Sequence, residues 1–166
     1  MQVDPVTGSQ FSVDVWHALI HAERLWHSPS GLVNVAASGD YYFLLRNSTN
    51  VSHARYTVDV NKECIVYLYE NPTVTDAGTG VGEVNRDRES TATTGVTCFI
   101  GSTIAADGTL LDNHILGSAA GGGAYGDNLN TELEWNFKAS EDYIVKVTVL
   151  NNDTDITFSW TWYEEL

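Results

Sequence analysis

The sequence predicts an all-β fold, an antiparallel β-sandwich with an N-terminal arm and long loops, and three observations carry that prediction. Apolar and polar residues alternate with period two, most clearly where Ile156, Phe158, Trp160 and Trp162 interleave with Thr157, Ser159, Thr161 and Tyr163. The alternating stretches are short, at least seven in number, and separated by Gly, Asn, Asp or Ser turn signals. Only Val15 to Trp26 carries helical spacing, too little for an architecture that alternates helices with strands.

Along the chain, Met1 to Gln10, with Pro5 and Gly8, lacks a core of its own. It reads as part of an arm over residues 1–14 that gains order on a partner, with Val3, Pro5, Val6 and Phe11 as its apolar contacts. Residues 15–166 then form one domain. In Val15 to Trp26, Trp16, Leu19, Ile20 and Glu23 recur at helical spacing, but no clean cap marks the ends, and a strand from Leu19 to His27 is an equal alternative. Strands are expected at Tyr41 to Arg46 and at Tyr56 to Val60, where Tyr56, Val58 and Val60 alternate with Thr57 and Asp59. Cys64 to Tyr69 is apolar on both faces and needs covering twice, by a neighbouring element or another subunit. Another strand is expected at Val96 to Gly101. Between Gly101 and Asn130 the alternation dissolves, and the reading is an irregular loop with one short strand near Gly108 to Leu111. Leu133, Trp135 and Phe137 oppose Glu132, Glu134, Asn136 and Lys138 in a half-buried strand. Tyr143 to Leu150 and Ile156 to Tyr163 flank the polar cluster Asn151 to Asp155, and together read as a hairpin.

Composition narrows the function classes. A chain of 166 residues is long enough for a sizeable core. Its 8 Lys plus Arg against 22 Asp plus Glu, a formal net charge of -14, argue against a nucleic-acid partner, which needs clustered cations to displace counterions from phosphate. No run approaches the roughly 18 apolar residues of a membrane helix, and no basic segment precedes an apolar one at the start, so a soluble protein made in the cytoplasm, with no membrane partner, is expected. Cys64 and Cys98 each sit inside an apolar run and are expected as reduced core thiols.

The chemistry-bearing residue types form no convincing site. His17 and His21 would share a face of a helix, but a strand would hold them too far apart for one ion, and no Cys or carboxylate other than Glu23 stands at matching spacing, so no metal is expected. Asn151, Asp153 and Asp155 resemble half of a calcium loop but lack the Gly and the distal Glu, so they read as a turn. Gly78, Gly80 and Gly82 have neither a following Lys nor a helix to hold phosphate, and there is no Gly-x-Ser-x-Gly elbow. The expectation is a protein without cofactor and without catalysis. Most of the 5 Trp and 8 Tyr fall in alternating strands, which leaves Trp16, Trp26 and Tyr125 for a surface role.

The most distinctive stretch is the middle one. An apolar run ends at Glu70-Asn71-Pro72-Thr73, passes Gly78-Thr79, and reaches Asn85-Arg86-Asp87-Arg88-Glu89-Ser90. In so acidic a chain the two arginines call for a role: either an ion-pair lattice with Asp87 and Glu89 that pins the loop, or a pair that faces a partner. The order Glu70-x-x-Thr73, Gly78-Thr79, Asn85-Arg86-x-Arg88-x-Ser90 resembles a family of small head-associated proteins of tailed bacteriophages. Leu133 to Leu150, with Tyr143 before a Val-rich strand, and the closing Trp162-Tyr163-Glu164 fit the same pattern, so the resemblance runs from about Leu19 to Glu164. The His- and aromatic-rich segment with Trp16, His17, His21, Trp26 and His27 departs from it.

The resemblance implies a jelly-roll capsid decoration, or cement, protein on the outer surface of the virion head, with the major capsid protein as partner and a homotrimer as the working form. In that setting the arm faces the capsid, and Glu70, Thr73, Asn85, Arg86, Arg88 and Ser90 brace the subunit or trimer interface. The alternatives are a carbohydrate- or host-surface-binding jelly-roll module and a tail or fibre component, since the fold alone decides none of these.

Overall fold

The structure is a computed structural model that describes residues 2–3, 10–11, 15–117, 127–130, 134–150 and 152–165. Two short strands open the chain, β1 (Gln2–Val3) and β2 (Gln10–Phe11), followed by a helix, α1 (Val15–His21). The strands β3 (Leu25–Val35), β4 (Asp40–Arg46), β5 (Ser52–Val60) and β6 (Cys64–Glu70) come next. An excursion then forms β7 (Thr73–Asp76), β8 (Thr79–Val81), β9 (Val84–Asn85), β10 (Thr97–Ile100) and β11 (Thr103–Ala106). The chain closes through β12 (Thr109–Leu116), β13 (Asp127–Asn130), β14 (Trp135–Phe137), β15 (Asp142–Val149) and β16 (Thr154–Glu164).

One sheet runs β12-β6-β15-β4-β10-β8, and the other β13-β5-β16-β3-β9 with β14 also on β5; every pairing is antiparallel. Leaving the excursion aside, β3 pairs with β16 and β4 with β15, while β5 lies between β16 and β13/β14, and β6 between β15 and β12. Successive strands thus cross from sheet to sheet in the nested order of a jelly roll. The excursion widens both sheets, adding β10 and β8 beside β4 and β9 beside β3.

Period-two alternation places the core. Ile156, Phe158, Trp160 and Trp162 of β16 meet Tyr143, Val145, Val147 and Val149 of β15 in one buried cluster with residues of β4, β5 and β6. Phe43 stacks on Phe158 with ring centroids 4.1 Å apart, and Phe137 on Tyr143 at 3.7 Å, so aromatic pairs join one sheet to the other.

Several expectations change. β15 and β16 are not a hairpin: they lie in opposite sheets, so the chain passes from one sheet to the other after Val149. An arch and a hairpin share the same polar turn chemistry, so alternation plus a polar cluster cannot separate them. The segment expected as a loop with one short strand contains β11, β13 and the eight-residue β12, whose pairing with β6 shifts between Leu110 and Asp112. That bulge resets the alternation of an edge strand that is half-exposed anyway, which hid it. Val15 to His21 is helix, and the strand expected from Leu19 begins only at Leu25, because the chain over Leu19 to His21 completes the helix that Glu23 closes. β3 continues through Pro29 and Gly31 because the register with β16 slips between Thr157 and Ser159, at a bulge that tolerates both residues.

The outer face of β6 is covered only in part. Leu44 and Ile144, its outer-face neighbours, are fully buried within the single chain, whereas Ile65, Tyr67 and Tyr69 remain half-buried. Asp107, just after β11, accepts from the Tyr42 hydroxyl at 3.3 Å and Lys146 Nζ at 3.1 Å, holding the end of the β7–β11 ribbon over this face. Gly108 makes that approach feasible: its φ is +90°, and a Cβ there would lie 2.3 Å from the Glu70 carbonyl oxygen.

Cys64 and Cys98 are buried and form no disulfide. Two strands, β15 and β4, separate β6 from β10, a gap of roughly 14 Å where a disulfide spans at most about 7 Å between Cα atoms.

Candidate functional site

The end of α1, the β9 loop and the C-terminal residues meet at one end of the sandwich. The helix stops in a left-handed residue, Glu23 (φ 59°), with Glu23 N–H donating to the Ile20 carbonyl and Arg24 N–H to the Leu19 carbonyl. This is the Schellman closure, which ordinarily takes Gly; a glutamate there is strained unless something holds it. The Asn85–Ser90 loop supplies the hold. Asn85, only 6% exposed, donates from Nδ2 to the Glu23 carbonyl at 2.8 Å, and the Ser90 hydroxyl donates to Glu23 Oε2 at 2.8 Å.

The same loop is built from side chains that bond their own backbone. Asn85 Oδ1 accepts from Asp87 N–H at 2.8 Å, Asp87 Oδ1 from Glu89 N–H at 3.1 Å, and Ser90 Oγ from Ala92 N–H at 3.0 Å. Those inward polar residues alternate with Arg86 and Arg88, which are exposed. The expected ion-pair lattice is absent: neither arginine lies in a salt bridge among the described residues. Among the described residues, Arg88 donates to the Asn85 carbonyl, at 3.5 Å. The loop is pinned by turns rather than by charge, because short Asn, Asp and Ser side chains close onto nearby amides with little loss of conformational freedom.

The other arginines serve the fold. Arg46 grips Asp142 with two nitrogens at 3.0 Å, Arg24 donates to the Glu164 carbonyl, and the Arg55 guanidinium lies 4.0 Å from the Trp16 ring centre. Trp16 also meets Tyr163 edge-on at 5.7 Å, which docks α1 on the outer face of its sheet. Trp26, by contrast, is 6% exposed in the core. His53 stacks on Tyr163 and sets its two ring nitrogens 2.6 Å from Glu134 and 2.7 Å from Glu165, tying the last strand down.

The remaining sequence-predicted residues are dispersed. Glu70 ends β6, where it accepts from Lys138 Nζ at 2.6 Å and the Tyr143 hydroxyl at 3.0 Å; the Lys138 ammonium holds its carboxyl below the usual range. Thr73 opens β7 and is exposed. Val3 and Phe11 belong to β1 and β2, which pair with each other and with neither large sheet. Pro5 and Val6 lie outside the described residues, as do Tyr125 and Asn151. Asp155, read with the turn, stands instead in β16, its two oxygens accepting from Asn34 Nδ2 at 2.7 Å and Asn61 Nδ2 at 2.8 Å.

Sequence reasoning missed Glu23 and Glu164. A cleft of about 340 Å³ lies between them, lined by Glu23, Arg24, Trp26, Asn50, Thr93 and Glu164. Its charged groups are bound to the protein itself: Glu164 accepts from the Thr94 hydroxyl, from Ser48 Oγ at 2.8 Å and from Gly95 N–H at 3.2 Å. The helical stretch ending without Gly was the one available signal for Glu23. His27, beside this end, is held below its ordinary value by burial and then by the charge of Arg86. No protein-family model matches this chain, and a search of curated proteins gives no match.

Proposed function

We propose that this chain is a capsid decoration protein that acts as a homotrimer on the outer surface of a phage head, binding rather than catalysing. The observation that carries the reading is the Asn85–Ser90 loop, held on Glu23 through Asn85 and Ser90 while Arg86 and Arg88 are exposed and outside any salt bridge among the described residues. Copies carrying a formal charge of -14 each repel one another, so association needs cations at the contact. In this proposal the arginine pair engages carboxylates of a neighbouring copy, in the fork geometry that arginine provides. The arm, whose two described strands bond to neither large sheet, reaches the major capsid protein. The jelly-roll order and the sequence resemblance support the same reading. A protein that binds only the assembled lattice stabilises it by the free energy of binding, repeated over many copies.

The test separates the two contacts. Expanded heads assembled from the major capsid protein of the same genome are sedimented with the wild-type chain, a variant lacking residues 1–14, and Arg86→Glu/Arg88→Glu. The expected result is a trimer that co-sediments, an arm-deleted trimer that does not, and a double variant that is monomeric and binds weakly. Failure of the wild-type chain to co-sediment would overturn the proposal.

A further inference from the structure

α1 places His17 and His21 one turn apart, with their Nε2 atoms 3.2 Å from each other and their rings nearly perpendicular at a centroid distance of 4.7 Å. Both side chains are exposed on the helix. In the metal-free protein one ring donates an N–H to the other. The same separation suits a shared cation, since two nitrogens roughly 2.0–2.1 Å from one tetrahedral zinc lie about 3.3–3.4 Å apart.

We infer that His17 and His21 form a two-histidine chelate for a late first-row divalent ion, with zinc, nickel or copper as the class of ligand. Imidazole nitrogens favour these ions over magnesium or calcium, which take oxygen donors. No third His, Cys, Asp or Glu completes the site among the described residues.

The pair is preorganised. A helix of seven residues is too short to persist alone, yet Trp16 anchors it to Arg55 and Tyr163, and the Glu23 closure fixes its other end. An ion bridging positions one turn apart locks that turn. The acidic surface adds a field that concentrates cations.

The experiment is a calorimetric titration of Zn²⁺ into the full-length chain, repeated with His17→Ala, His21→Ala and, as a control, His114→Ala. The expected result is one site per chain, weakened at least tenfold in either helix variant and unchanged in the control. Affinity should fall as pH is lowered, because only neutral imidazole binds the ion. NMR should show the Hε1 signals of His17 and His21 shifting together on zinc addition. Circular dichroism confirms that each exposed-residue variant is folded. Absence of binding by the wild-type chain, or binding that survives in both helix variants, would overturn the inference.

Discussion

Asn85 and Arg86 are neighbours with opposite tasks, and single substitutions should separate them. Asn85→Ala removes a buried side chain that satisfies the Glu23 carbonyl and the Asp87 amide, and should cost roughly 1–3 kcal/mol in urea unfolding. Arg86→Ala and Arg88→Ala truncate exposed side chains that lie outside any salt bridge among the described residues and should leave stability within about 0.5 kcal/mol of wild type, while self-association of the proposed trimer weakens. Arg86 also has a reporter in His27, whose charged form is disfavoured first by burial and then by that arginine. Because the folded value lies below the unfolded one, the unfolded chain takes up the proton first. The His27 contribution to stability is therefore intact above the ordinary value of 6.5 and is lost as pH falls from there towards the folded value. An NMR titration of Arg86→Ala should show His27 moving up towards its ordinary value; no movement would mean that the guanidinium does not act on it. The alternation of polar and arginine residues was legible in the sequence, but the partner of the loop was not. Glu23 lies 62 residues from Asn85, and no local pattern encodes that pairing.

At the scale of elements, the strands with a buried face were readable and the edges were not. β4, β5, β15 and β16 each have one face in the core, so alternation marks them within a residue or a few of their observed ends. β7, β8, β9 and β12 are short, exposed or bulged, and their pairing comes from tertiary contact rather than local pattern. The sheet-to-sheet arch after β15 was misread because a turn signal reports that the chain reverses, not which sheet receives it. Two substitutions probe these elements. Gly108→Ala forces an L-residue into a left-handed backbone against the Glu70 carbonyl, and thermal unfolding should show a loss of at least about 1–3 kcal/mol. Trp160→Ala empties the middle of the core and should cost about 3–5 kcal/mol, enough to threaten folding in a domain of this size.

For the whole molecule, a -14 chain with an exposed arginine pair, whose first two strands pair with each other and with neither large sheet, is suited to association through a few defined contacts. Light scattering should report three copies per particle for the wild-type chain and single copies for Arg86→Glu/Arg88→Glu. The sandwich was legible from alternation alone. The nested strand order became visible only with the pairings, and the proposed function rests on a resemblance in the order of short motifs, of which Glu70, Asn85 and Ser90 bond within the subunit. Calorimetry of expanded heads with and without the saturating protein tests the central claim most directly. The account predicts a rise in head melting temperature that saturates with bound copies and disappears when residues 1–14 are deleted. Heads that melt at the same temperature in its presence and absence would contradict it.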